Sequence, residues 1–195
     1  MNYYDEIKEI AKKNNGIVTS FMVKEEEIPS IYLTRMVEKD ELEKVDRGIY
    51  AFQDTFIDDY YLLYLKNKRI IYSFKSALFL NGITDRTPYN LEVTLPNSYN
   101  SSHIDSNVVI HKVLKKYYEI GRTIKVTMYG NKVPCYDMER TICDLIRFRD
   151  KVDVEIFRKA IQFYKNHKDR DYHKLREYGK QFGISNKINN LMDVI

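Results

Sequence analysis

The sequence is poor in the residues on which several chemistries depend. Its 195 residues include only two cysteines, Cys135 and Cys143, and two thiols make no disulfide framework in a chain this long. The histidines, His103, His111, His167 and His173, show no tight ligand spacing, so no zinc motif can be read from them. The 7 glycines form no glycine-rich phosphate loop, and no nucleophile elbow is present. No apolar run approaches the ~18–20 residues of a membrane span. The opening MNYYDEIKEIAKK lacks the apolar segment of a secretory signal. The expectation is a non-enzymatic cytoplasmic protein with no catalytic residue, metal, cofactor or membrane partner.

What is present is ordinary for a globular chain, with 44% hydrophobic and 31% charged residues. This length holds one medium domain or two small ones. The net charge of +4 is unevenly spread. Residues 1–54 carry 8 Lys and Arg against 12 Asp and Glu, whereas residues 55–195 carry 24 against 16. An acidic N-terminal segment is a poor match to the basic footprint of a DNA binder, although only the contacting face has to be positive.

The stretch Ile28–Phe52 organises the N-terminal part. Pro29 suits a first helical turn and Ser30 a cap beside it. Leu33, Met36 and Val37 make one face of 29–39 apolar. Leu42–Val45 and Ile49–Phe52 flank Asp46-Arg47-Gly48, a turn cluster with a glycine able to take positive φ. Upstream, the pattern predicts a helix over 3–14, a short apolar link at Ile17-Val18, and a helix over 20–26. Thr19 would cap that second helix, with Phe21 and Met22 facing inward. Helix, helix, turn, helix and hairpin in this order predict a winged helix-turn-helix over residues 1–54.

On such a unit Ser30, Tyr32, Thr34 and Arg35 have the chemistry of a recognition helix. Arginine reaches guanine bidentately, and hydroxyls bond phosphates or base edges. Lys44 and Arg47 would sit on the wing near phosphates or the minor groove, beside the acidic Glu43 and Asp46.

Residues 55–195 read as a mixed domain, making the whole chain α+β with strands mostly before helices. The pattern predicts helices over 55–66 and 74–80, the latter capped by Ser73. Strands are expected at 91–95, 108–113, 124–128 and 133–136, with a Gly130-Asn131 turn between the last two. Asp137, Asp153 and Asp171 would cap three further helices, and 186–191 a fourth. In DMERTICD, Arg140 and Asp144 stand at i, i+4 and can pair. Asp137 and Glu139 would be the acids of a nucleic-acid-processing enzyme, but no motif lysine or metal-spaced partner accompanies them. Residues 112–195 hold 19 Lys and Arg against 11 Asp and Glu, enough for a positive patch.

Three segments, LEKVDRGIY (42–50), SFKSALFLNGITDRTP (73–88) and DMERTICDLI (137–146), resemble the AbiEi family, the antitoxins of abortive-infection (type IV) toxin–antitoxin systems. The resemblance implies a bifunctional protein. Its N-terminal domain would repress its own operon by binding upstream inverted repeats, as a monomer or a DNA-assisted dimer. Its C-terminal domain, 55–195, would counter a cognate nucleotidyltransferase toxin without a stable complex. By position, Ser30, Tyr32, Thr34, Arg35 and Arg47 would read the DNA. Ser73, Arg140 and Asp144 would be signature residues of the antitoxin domain. The alternatives are a protein-interaction module without DNA binding, or a nucleic-acid-processing enzyme using Asp137 and Glu139.

Overall fold

Asn2 opens the first helix by accepting the Asp5 amide at 3.0 Å, and short-range capping of this kind sets most helix starts along the chain. The computed structural model describes residues 2–193. They divide into two units. The first runs to Leu65 and takes in Thr127–Asn131; the second comprises Lys66–Val126 and the chain from Lys132 onward.

The first unit contains α1 (Tyr3–Lys13), β1 (Ile17–Thr19), α2 (Ser20–Glu25), α3 (Ile31–Glu38), β2 (Leu42–Asp46) and β3 (Ile49–Phe52), after which α4 (Asp59–Lys66) begins. Its sheet has the order β1-β3-β2, antiparallel throughout. Ile7, Ala11, Val18, Val23, Ile28, Leu33, Met36 and Leu42 form one core. The helix order and the hairpin are those anticipated for a winged helix-turn-helix. The predicted apolar link at Ile17-Val18 is instead a third strand, because Ile17 and Val18 pair with Ala51 and Tyr50.

Thr19 caps α2 as expected, its Oγ1 accepting the Met22 amide at 3.1 Å. That cap sets the helix phase so that Val23 is buried, and Phe21 is 64% exposed rather than facing inward. Ser30 does not act as a cap. Its backbone is already helical (φ −61°, ψ −16°), whereas an N-cap side chain turns back onto the helix from an extended backbone. The predicted helix from Thr55 begins only at Asp59. Buried Asp58 resets the start: its Oδ1 accepts the amides of Tyr60 and Tyr61. Its Oδ2 accepts from Thr127 Oγ1 at 2.5 Å and Asn131 Nδ2 at 2.8 Å.

The second unit contains β4 (Ile71–Tyr72), α5 (Phe74–Leu80), β5 (Glu92–Pro96), β6 (Val109–Val113), α6 (Lys115–Tyr118), β7 (Arg122–Val126) and β8 (Lys132–Tyr136). The helices α7 (Met138–Arg147), α8 (Val154–Asn166), α9 (Tyr172–Phe182) and α10 (Ser185–Asp193) follow. Its sheet runs β6-β5-β4-β8-β7. The pairs β4/β8 and β5/β6 are parallel; β4/β5 and β7/β8 are antiparallel. The chain is thus α+β. Asp137, Asp153 and Asp171 all cap as predicted. The core joins α5 and α7–α10 through residues such as Leu78, Ile142, Leu145, Ile161, Leu175 and Ile188. No helix among the described residues is long and apolar enough to cross a membrane.

Candidate nucleic-acid interface

The helix α3 buries Leu33 and Met36 and half-buries Val37. The opposite face is therefore left to Ser30, Ile31, Thr34, Arg35 and Glu38, all exposed. Ser30, Thr34 and Arg35 thus share one solvent-facing row. No hydrogen bond or ion pair engages their side chains among the described residues. Tyr32 lies to one side. It is half-buried, with its ring 4.9 Å from Tyr3 and 5.2 Å from Tyr4, edge-on to both. The Arg35 guanidinium carbon sits 5.3 Å from the Tyr32 ring centre, so Tyr32 steadies Arg35 rather than joining the exposed row.

The β2–β3 hairpin, the candidate wing, is held from both sides. β3 is the central strand, and the Gly48 carbonyl accepts the Ser20 amide at 2.9 Å. Gly48 has φ +70°, a backbone that favours glycine, and Ser20 Oγ lies 3.3 Å from where a Cβ would stand, a tight approach. Arg47 is exposed at the tip, its amide fixed by Asp46 Oδ1 at 2.6 Å, and Lys44 is exposed on β2. Neither cationic side chain makes a hydrogen bond or ion pair among the described residues. Glu25 ends α2 and Glu26 and Glu27 form the turn after it, all three exposed, so the segment leading into α3 is acidic. Sequence reasoning missed two apolar members of this surface, Phe21 and the 49% exposed Ile31. For Ile31, the helical spacing from buried Leu33 and Met36 is the signal that could have found it.

The signature residues of the second unit are buried. Arg140 is fully buried, its Nε 2.9 Å from Asp144 Oδ2, and its Nη1 donates to the carbonyls of Tyr117 (2.7 Å) and Ile120 (2.6 Å). Its guanidinium carbon lies 4.0 Å from the Tyr136 ring centre and 4.6 Å from that of Phe182. Asp144 also accepts from Arg147 Nη1 at 3.0 Å. This cluster ties α7 to the loop around α6 and to α9. Ser73 is buried at the entry to α5 without making the predicted side-chain cap bond. Phe74 follows it with φ +46°, a strain of about 1–3 kcal/mol for a bulky residue.

Asp137 and Glu139 are committed to structural partners. Asp137 Oδ1 accepts the Arg140 amide, and its Oδ2 accepts from Tyr178 and Lys174. Glu139 Oε1 accepts the Asp171 amide at 3.1 Å. Burial, and then the Asp137 carboxylate, push the Tyr178 hydroxyl up to about 12. Among the described residues no group of three or more His, Cys, Asp and Glu could hold a metal ion.

The crystal structure of the RV2827C protein from Mycobacterium tuberculosis is similar with a TM-score of 0.52 at 12% identity. The likeness covers 96% of this chain and 79% of that one. At that identity it is a likeness of fold. No curated protein matches the sequence. Residues 5–53 match the family described as transcriptional regulator, AbiEi antitoxin. The match spans α1 to the wing and stops before the segments at 73–88 and 137–146. The likeness to the AbiEi antitoxin transcriptional regulators thus lies in residues 5–53.

Proposed function

We propose that this protein is the antitoxin of a type IV toxin–antitoxin system and represses its own operon. In this reading residues 1–54 form a winged helix-turn-helix that binds upstream inverted repeats, with α3 in the major groove and the wing over the adjacent backbone. Ser30, Thr34 and Arg35 read the bases, Tyr32 holds Arg35 in position, and Lys44 and Arg47 contact phosphates. Residues 55–195 oppose a nucleotidyltransferase toxin without a stable complex, and the protein acts in the cytoplasm as a monomer or DNA-assisted dimer, with no catalysis of its own. The observation that carries the reading is the unengaged row Ser30, Thr34 and Arg35 beside a pre-shaped wing, within the residues that match the AbiEi regulators.

A mobility-shift titration against the protein's own upstream region tests it. Sequence-specific retardation at moderate salt is expected, with half-sites separated by roughly 34 Å or a multiple. Absence of any specific shift refutes it. A second reading, a protein-binding cap without DNA affinity, is favoured by exposed Phe21 and Ile31 and by the acidic balance of residues 1–54. It predicts intact toxin neutralisation with no operator binding.

A further inference from the structure

The exposed row of α3 includes one side chain to which the regulatory reading gives no role. Ile31 is the first residue of α3 and is 49% exposed. It does not join the core around Leu33 and Met36. A single exposed apolar residue ordinarily needs no explanation. Two observations set Ile31 apart. Residues three and four positions apart share a helix face, so Ile31 stands beside Thr34 and Arg35, two of the residues proposed to read bases. It also occupies the first turn, and the N-terminal residues of a recognition helix are those that reach base edges.

The groups around Ile31 decide what it can meet. Arg35 is the cation of this face, and Glu38, exposed in the last turn of α3, is its carboxylate. At the helical rise per residue, Glu38 lies about 10 Å along the axis from Ile31. The exposed Glu26 and Glu27 precede the helix. These carboxylates weaken the pull of α3 on phosphate, so contacts that need no charge carry more of the selectivity. An isoleucine side chain neither donates nor accepts a hydrogen bond. The apolar group that base edges present in the major groove is the thymine 5-methyl. Packing that methyl on Ile31 removes apolar surface of both partners from water. A polar base edge in the same place would lose its water without gaining a hydrogen bond.

We propose that Ile31 reads thymine: each operator half-site sets a thymine 5-methyl against the Ile31 side chain, while Arg35, one turn on, reads a neighbouring base. The proposal rests on the regulatory reading. It assigns to DNA an exposed residue that otherwise favours a protein-binding cap.

The test is a mobility-shift titration of the full chain on its own upstream region, with deoxyuridine replacing thymine one position at a time within the inverted repeats. Deoxyuridine keeps every hydrogen-bonding group of thymine and lacks only the methyl. At one position in each repeat, wild type is expected to bind the deoxyuridine duplex about three- to fivefold more weakly, the worth of one buried methyl group. Ile31→Ala should bind the thymine operator more weakly by at least that factor. It should show no difference between thymine and deoxyuridine at that position. Its unfolding transition should stay in place, since the side chain is exposed. Thr34 also carries a methyl, so Thr34→Ser, which keeps the hydroxyl, is the control and should preserve the difference. The proposal is overturned if wild type binds specifically yet is indifferent to deoxyuridine at every position. It is equally overturned if Ile31→Ala keeps the wild-type difference or if Thr34→Ser erases it. Absence of any specific shift on the thymine operator overturns the regulatory reading itself, and this proposal with it.

Discussion

Arg140 and Asp144 face each other one turn apart on α7, Nε to Oδ2 at 2.9 Å, with side chains 0% and 3% exposed. Neither charge reaches solvent. Their free energy depends on the completeness of the cluster around them, in which Arg140 also satisfies two carbonyls and Asp144 also accepts from Arg147. Removing one member of a buried pair leaves the other charge uncompensated, at a cost of about 3–5 kcal/mol. Asp144→Ala and Arg140→Ala should each lower the urea midpoint of the second unit by a corresponding amount. A variant that unfolds like wild type would show that the pair contributes little.

Gly121 offers a sharper probe of the same cluster. It has φ +76°, and a Cβ there would overlap Arg140 Cβ. Gly183 has φ +68° with open space around it. Gly183→Ala should cost only the left-handed penalty of about 1–2 kcal/mol. Gly121→Ala should cost that and a further ~1–3 kcal/mol of overpacking. Equal losses in denaturant unfolding would contradict the packing described for Arg140.

In the first unit, stability and recognition should separate at two hydroxyls. Thr19 caps α2 through its side chain, so Thr19→Ala should cost about 1 kcal/mol. Ser30 makes no cap bond, so Ser30→Ala should change stability by less than about 0.5 kcal/mol. On the proposed function, Ser30→Ala nonetheless weakens operator binding, which a mobility shift beside the melting curve would reveal.

Arg35 and Lys44 should fail differently on DNA. Arg35→Ala should cost roughly 1–3 kcal/mol on the operator and little on unrelated sequence. Lys44→Ala should weaken binding to all sequences alike and reduce the salt slope by about one. Binding isotherms at several salt concentrations distinguish the two. If both variants behave as wild type, α3 and the wing are not the reading surface.

The two thiols predict a pH dependence. Burial, and then the Asp144 carboxylate, push Cys143 up to about 12; burial raises Cys135 as well. An unfolded thiol ionises near ~8.5, so the native state holds protons that the unfolded state releases above that pH. This contribution is fully present below about pH 8.5 and is lost as pH rises towards the folded values. The denaturation midpoint should fall between about pH 8 and 10, less steeply when both cysteines are replaced by alanine. Thiol reagents should label both cysteines only after unfolding.

The features legible in the sequence were those written locally. Thr19, Asp137, Asp153 and Asp171 each cap the helix that follows, because a cap depends on residues two or three positions away. The Arg140–Asp144 pair was legible for the same reason, while its complete burial was not. β1, β4 and α6 escaped because each is too short to show a period and exists through pairing or packing with distant chain. Ile71-Tyr72 is a strand only because Thr94 and Val93 lie beside it on β5 and Cys135 beside Tyr72 on β8. The Glu92–His111 contact, Oε2 to Nε2 at 2.8 Å, was invisible because the two residues stand on separate strands, and His111 in isolation reads as one more lone histidine.

The β2–β3 hairpin is no free arm. Here β3 is enclosed by β1 and β2, and the turn is fastened to Ser20 through the Gly48 carbonyl. A partner docking on this unit meets a surface whose backbone is already ordered, so little conformational entropy is lost on association. The heat-capacity change of that association should then track the area buried at the interface alone, without the added signature of coupled folding.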